Sequence, residues 1–170
     1  REIICGYGEI LKHSIISKRN NFNYLKINFN KILNLKSPFI IKAIVDSCKI
    51  KRNIVQLDEK EKNLRKILNL GHTFAHAYES ALGYSKKLNH GEAVILGIMS
   101  SIKFSFKNNI LNKKDYRLLT NHINLLDLQV NLNHYLKKKN ISSIVNFMKL
   151  DKKNNSSLIN LILIKKIGKV

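Results

Sequence analysis

Tryptophan is absent, proline occurs once (Pro38), and glycine only seven times in 170 residues. A chain with so little to punctuate it is expected to be mostly helical. Cysteine is almost as scarce, and Cys5 and Cys48 stand far apart, which excludes a disulfide scaffold and a cysteine-based zinc finger. No apolar run reaches the roughly 18 residues that a membrane-spanning helix needs. The opening Arg-Glu-Ile-Ile-Cys-Gly has neither an initiating Met nor the layout of a signal peptide, which suggests a fragment or a processed chain. A reducing, cytoplasmic setting is the default. Acidic residues are also few, 11 against 31 Lys and Arg, for a net charge of +20. What is abundant is apolar: 44% of residues, enough for the core of a single domain over residues 1–170 and too many for wholesale disorder.

The positive charge invites a polyanion as partner. The basic residues are nevertheless spread along the chain, with dense runs only at Lys137-Lys138-Lys139 and Lys165-Lys166. Phe22, Tyr24, Phe29, Phe104 and Phe106 fall at apolar-periodic positions and are expected in the core rather than stacking on bases. Richness in Ile and Asn points to codon drift as the source of the lysines. Together these argue against nucleic acid as the principal partner.

Periodicity places helices over 3–17, carrying Ile4, Ile10, Leu11 and Ile15, and over 22–35, with a break at Asn20-Asn21. Ser37-Pro38 reads as a helix start, and Ile41, Ile44, Val45, Cys48 and Val55 supply the apolar positions that follow. Residues 58–63 form a polar turn. A long helix is expected over 64–82, another over 91–107, and shorter ones over 113–126 and 141–149. Residues 158–164 are β-branched enough for a strand. The fold class is mainly α: a helical bundle with a short C-terminal β-strand.

Three histidines, His72, His76 and His90, lie close in sequence. The first two, at i and i+4, share a helix face at a spacing that suits metal chelation or an ordinary polar pair. The segment HTFAH outlines the metalloprotease pattern H-E-x-x-H, but Thr73 replaces the general-base Glu, so that chemistry is excluded. In a continuous helix Arg65, Asn69, His72 and His76 make one stripe, a poor core surface but a good wall for an anionic, hydroxylated ligand. Gly71 in mid-helix would cost roughly 1 kcal/mol against alanine, which points to a close approach. His90-Gly91-Glu92 opens the next helix, with Glu92 complementing its dipole. Glu9 and Lys12 pair at i and i+3, which by itself reads as a solvated surface ion pair, although their small or apolar neighbours (Gly6, Gly8, Ile10, Leu11) would suit a buried carboxylate.

The run RKILNLGHTFAHAYES, followed by GYSKKLNHGEAVILGIM, resembles the 3-dehydroquinate synthase family. The resemblance extends to REIICGYGEILKHSII, to DSCKIKRNIVQLDEKEKNLR and to the tail FMKLDKKNNSSLINLILIKKIG, and is weakest over 104–145. It implies the C-terminal, helical, metal- and substrate-binding domain of a two-domain enzyme. The NAD⁺-binding N-terminal domain would be missing, in keeping with the lack of a G-x-G-x-x-G loop. It implies Zn²⁺ or Co²⁺ on Glu9, His72 and His90. Lys12, Lys51, Arg65, Asn69, His76 and Lys152 would hold the substrate, with His76, Lys12, Arg65 and Asn69 serving catalysis.

The implied reaction converts 3-deoxy-D-arabino-heptulosonate 7-phosphate to 3-dehydroquinate and phosphate, a carbon–oxygen lyase step of aromatic amino acid biosynthesis. The resemblance also implies a cytoplasmic homodimer acting on a sugar-acid phosphate, with no membrane. Another sugar-phosphate cyclase, a metal-dependent polyol dehydrogenase and a basic RNA-binding module are the alternatives. The chain departs from the family pattern at Ala75 and Asn63, where glycine is usual, and at Gly8, where alanine is common. Asn63 would then suit a left-handed turn.

Overall fold

The computed structural model describes residues 1–126, 128, 132–136, 140–150 and 158–170, and over these the chain is mainly helical. Helix α1 (Glu2–Ile16) buries Tyr7, Leu11, Ile15 and Ile16. The break falls at Ser17-Lys18, not at Asn20-Asn21, and the helix expected over 22–35 is two: α2 (Arg19–Ile27) and α3 (Phe29–Leu33). Asn28 separates them, its side-chain amide donating to the Tyr24 carbonyl at 3.0 Å and competing with a continued helix. Phe22 and Phe29 are core residues as expected, whereas Phe104 is exposed.

Pro38 directly precedes α4 (Phe39–Leu57). Ala43 and Ser47 of α4 are buried, and Phe39, Ile40, Ile50 and Ile54 pack on the core. Ile41, Ile44, Val45 and Cys48 are exposed, contrary to the stripe read from sequence. The helix has two apolar stripes, and tertiary packing selects the one that closes on α1 and α3. The turn after α4 is built on Asp58, whose carboxylate accepts from the backbone N–H of Lys62, Asn63 and Arg65 at 2.9, 2.8 and 3.0 Å. Those bonds hold the Asp58 carboxyl below its usual range. Asn63 has φ −139°, so it makes no left-handed turn; Glu61, at φ +53°, does.

The long helix expected over 64–82 is divided. A 3₁₀ turn, Leu64–Asn69, leads to Gly71 at φ +80°, and α5 (His72–Ala81) starts there. Gly71 is therefore the residue before a helix and not a weak point inside one. It abuts α6 (His90–Lys107): a Cβ on Gly71 would stand 2.7 Å from the Ile98 nitrogen, and one on Gly97 would stand 2.1 Å from the Gly71 carbonyl oxygen. Only glycine fits at either place.

Helix α6 is buried along most of its length, with Ala93, Val94, Ile95, Leu96, Ile98 and Ile102 in the core, and α1, α5 and α7 (Lys113–Asn124) pack on it. Asn112 caps α7, its side chain accepting from the Asp115 N–H at 2.9 Å. The short α8 (Leu132–Tyr135) precedes α9 (Ile141–Lys149), which lies on α5.

The expected strand over 158–164 is absent among the described residues. The tail runs unpaired, apart from an isolated antiparallel bridge between Lys166 and Lys169. Its backbone is satisfied by helices instead. The Ile164 N–H donates to Ser105 Oγ at 3.0 Å, that of Ile167 to Asp115 Oδ2 at 3.1 Å, and that of Gly168 to the Ile15 carbonyl at 2.8 Å. With no neighbouring strand to pair with, its β-branched residues serve burial: Ile164 and Ile167 are in the core.

Candidate functional site

The N-terminal halves of α1, α5 and α6 meet at close approaches that involve glycine. A Cβ on Gly91 would stand 2.3 Å from the Cys5 Cα, and one on Gly8 would stand 3.0 Å from the Gly91 carbonyl oxygen. Each of the three residues that the family resemblance assigns to a metal is next to such a glycine: Glu9 beside Gly8, His72 beside Gly71, His90 beside Gly91. Residues that let the helix backbones touch thus bring Glu9, His72 and His90, far apart in sequence, into one neighbourhood.

Glu9 Oε1 lies 3.8 Å from His72 Nε2. The His72 ring centroid is 5.7 Å from that of His90 and 5.5 Å from that of His76, and those of His76 and His90 are 6.2 Å apart. Lys12, 3% exposed, donates from Nζ to both oxygens of Glu9, at 3.0 and 2.8 Å. The pair is therefore part-buried and not a solvated surface pair. Among the described residues no three His, Cys, Asp or Glu side chains are gathered closely enough to hold a metal ion as they stand. A tetrahedral ion with bonds of about 2.0–2.1 Å needs donors some 3.3–3.4 Å apart. The Glu9–His72 separation exceeds that by a side-chain adjustment, with the Lys12 ammonium on the carboxylate.

The ionisation states are those that metal ligation needs, although the Lys12 ammonium itself opposes a cation. Burial pushes the Glu9 carboxyl up, but the charge and hydrogen bond of Lys12, aided by His72 and His13, outweigh it and hold the group below its usual range. Burial, then the positive charge of Lys12, pushes His72 down to about 4, so its imidazole is neutral at pH 7, the form that binds metals. His72 Nδ1 faces the Leu70 carbonyl at 3.3 Å. That oxygen only accepts, so Nδ1 carries the proton and the Nε2 lone pair points toward Glu9.

The other residues marked in the sequence stand around this cluster at differing range. Asn69, in the 3₁₀ turn before α5, donates from Nδ2 to Glu61 Oε1 at 2.7 Å. The Arg65 guanidinium donates to the Glu59 carbonyl at 2.6 Å, and Lys51 is exposed on α4. Among the described residues, neither Arg65 nor Lys51 has a hydrogen bond to the three imidazoles. The stripe 65, 69, 72, 76 is accordingly not one helix face, because Gly71 divides it. Lys152 lies outside the described residues. Glu92 accepts from the Asn89 N–H at 2.8 Å at the start of α6 and from the Arg1 guanidinium, a helix-start role as read from sequence.

Two residues at the site escaped the sequence reading. His13, 3% exposed, bonds Ser47 Oγ through Nδ1 at 2.6 Å, and its buried Nε2, without a hydrogen-bond partner among the described residues, lies 3.9 Å from Glu9 Oε2. Glu79 approaches His90 Nδ1 at 3.1 Å. The signal for Glu79 was present, since 72, 76 and 79 (i, i+4, i+7) share one helical face; His13 had none, because Ser47 is on another helix. A cleft of about 470 Å³ opens between Glu9, Glu79, His90 and the loop 84–89.

The fold sets the class first: a helical domain of the kind that makes up just under half of two solved synthases. One is a 2-deoxy-scyllo-inosose synthase complexed with carbaglucose-6-phosphate, NAD⁺ and Co²⁺ (TM-score 0.75, 23% identity, covering 98% of this chain and 46% of that one). The other is a 2-epi-5-epi-valiolone synthase from Streptomyces hygroscopicus subsp. jinggangensis with NAD⁺ and Zn²⁺ bound (TM-score 0.73, 18% identity, 98% and 45%). The sequence then sets the family: a model of the 3-dehydroquinate synthase C-terminal region matches residues 6–154, and the chain belongs to that family. It is 55% identical over 168 residues to the 3-dehydroquinate synthase of Pelagibacter ubique, covering 99% of this chain and 46% of that protein. It is 37% identical over 170 residues to that of Thermodesulfovibrio yellowstonii, covering 100% and 46%. The chain spans about half the length of the curated relatives it matches.

Proposed function

We propose that this chain is the metal- and substrate-binding part of a 3-dehydroquinate synthase, acting on 3-deoxy-D-arabino-heptulosonate 7-phosphate. The observation that carries the reading is the convergence of Glu9, His72 and His90 from three helices at the glycine junction, with Lys12 and His76 beside them. Glutamate with two histidines and open positions is the donor composition of a catalytic zinc site, and the neutral His72 with its Nε2 lone pair directed inward fits it. Zn²⁺ or Co²⁺ held by Glu9, His72 and His90 would supply Lewis acidity at substrate oxygens, and NAD⁺, bound mainly outside this chain, would supply hydride transfer.

The chain's own residues have separate tasks in this proposal. Lys12 would offer its ammonium to an anionic substrate group beside the Glu9 carboxylate that it pairs with. Arg65, Asn69, Lys51 and Lys152 would close on carboxylate, phosphate and hydroxyls once substrate is present, orienting it for reaction. His76 offers its imidazole to the substrate as a hydrogen-bonding and proton-holding group. Homodimerisation and a cytoplasmic location belong to the same proposal; among the described residues no helix is long and apolar enough to cross a membrane.

The test is metal analysis of the purified chain together with phosphate release by the full-length enzyme. The proposal expects about one zinc per chain, lost in His72→Ala and His90→Ala, and turnover of the heptulosonate phosphate with NAD⁺. Zinc content unchanged in both variants removes the metal site. Preference for a neutral heptulose phosphate assigns the chain to another sugar-phosphate cyclase.

A further inference from the structure

We infer that Glu79 is a positioning residue for His90: it fixes which nitrogen of that imidazole carries the proton and which faces the cleft. The inference rests on the metal reading above for its purpose, but its geometry stands alone. His90 opens α6, and its side chain is 55% exposed, so packing does not hold the ring. What meets it is the Glu79 carboxylate on α5, 12% exposed, with Oε1 at 3.1 Å and Oε2 at 3.3 Å from Nδ1. A carboxylate only accepts, so Nδ1 must hold the hydrogen, and in the neutral ring Nε2 is left with its lone pair.

The arrangement repeats on His72, whose Nδ1 faces an acceptor of a different kind, the Leu70 carbonyl. Both imidazoles therefore present Nε2, one oriented by backbone and the other by a side chain. A carboxylate behind a ligating histidine also raises its basicity and stops the ring from turning. Helix geometry explains why residue 79 is available. It lies two turns beyond His72 on the same face of α5, so the helix that carries one donor also carries the brace for the other. Glu79 also lines the same cleft as Glu9 and His90, which places the brace at the mouth of the proposed site.

The experiment compares the full wild-type chain with Glu79→Gln and Glu79→Ala in two measurements. The first is the ¹⁵N spectrum of His90 without metal, assigned by its loss in His90→Ala and read on the neutral ring. The inference expects a protonated Nδ1 in wild type, and a shift toward protonated Nε2 in Glu79→Ala. The second is Zn²⁺ affinity by chelator competition, with the Co²⁺ absorption spectrum recorded alongside. Affinity should fall about 10- to 100-fold in Glu79→Ala and less in Glu79→Gln, whose amide oxygen still accepts. The visible Co²⁺ bands should shift, which a merely structural change elsewhere would not cause. A wild-type ring protonated at Nε2 overturns the inference whether or not metal binds. Zinc bound equally well by all three chains, with one Co²⁺ spectrum, overturns it and leaves the metal site intact. Failure of wild type to bind Zn²⁺ or Co²⁺ overturns the metal reading and, with it, the role given to Glu79.

Discussion

Two histidines near α1, one part-buried and one fully buried, show how differently one side chain can be used. His72 stands at the open end of the α1–α5–α6 junction, near the carboxylate of Glu9 and the ammonium of Lys12. His122, on α7, is sealed in an aromatic box, with Nε2 against the Tyr7 hydroxyl at 2.6 Å and the rings of Phe22 and Phe29 each at 5.2 Å. Burial pushes both imidazoles down to about 4. A depressed histidine is therefore no mark of a metal site by itself. What sets His72 apart is its company: a carboxylate and two more imidazoles stand around it, whereas His122 is enclosed by Tyr7, Phe22 and Phe29.

The glycine junction is the sharpest place to break this contrast. Gly97→Val would drive side-chain atoms into the Gly71 carbonyl, a backbone group that cannot turn away. It should cost about 3 kcal/mol or more, read as a large fall in denaturation midpoint together with loss of zinc binding. A midpoint close to wild type would mean that α5 and α6 do not meet as described.

Acid should attack the sealed side through His122. Its folded pKa, about 4, lies below the ordinary 6.5, so between these values the unfolded chain holds a proton that the native chain refuses. Stability from this group is complete above pH 6.5 and drains away as pH falls toward 4, by about 3 kcal/mol in all. His122→Phe should flatten that part of the pH–stability curve, measured by urea unfolding between pH 7 and 4. An unchanged slope would show that His122 does not titrate on unfolding.

At the open side, His72→Ala should abolish the rise in melting temperature on adding Zn²⁺, while His122→Phe should keep it, whatever its own stability. Equal responses in the two variants would erase the distinction between the regions. The smallest effect is expected at Gly8→Ala. The added methyl meets the Gly91 oxygen at 3.0 Å and Ile95 Cγ1 at 3.1 Å, against a helix-propensity gain of about 1 kcal/mol. The net change should lie within about 1 kcal/mol of zero by thermal melting. A loss of several would mean that α1 and α6 are locked more tightly than these distances allow.

Much of this was legible in the chain itself. The helices near 3–17, 91–107 and 141–149 followed from apolar periodicity, and the polar turn at 58–63 from composition. The motif LNLGHTFAHA with NHGEAV marked the family. Apart from the split at Asn28, which has a local cause, the main misreadings share one origin. The split at Gly71, the exposed stripe Ile41, Ile44 and Val45, and the tail without a strand all depend on what lies opposite in space. A glycine in a helical pattern reads as a weak helix until α6 is seen pressed against it. A second apolar stripe reads as core until α1 and α3 are seen to cover the other one. His13 and Ser47 were invisible as a pair because 34 positions separate them.

By itself the sequence determined composition, helix content and, through a local motif, the family, because periodicity and motif spacing are local properties of a polymer. Only the tertiary structure decided that Glu9, His72 and His90 come near one another and that His122 is enclosed by aromatic rings. Those outcomes depend on distances between helices, and the distances are set by steric contact at Gly71, Gly91 and Gly97, which linear order does not encode.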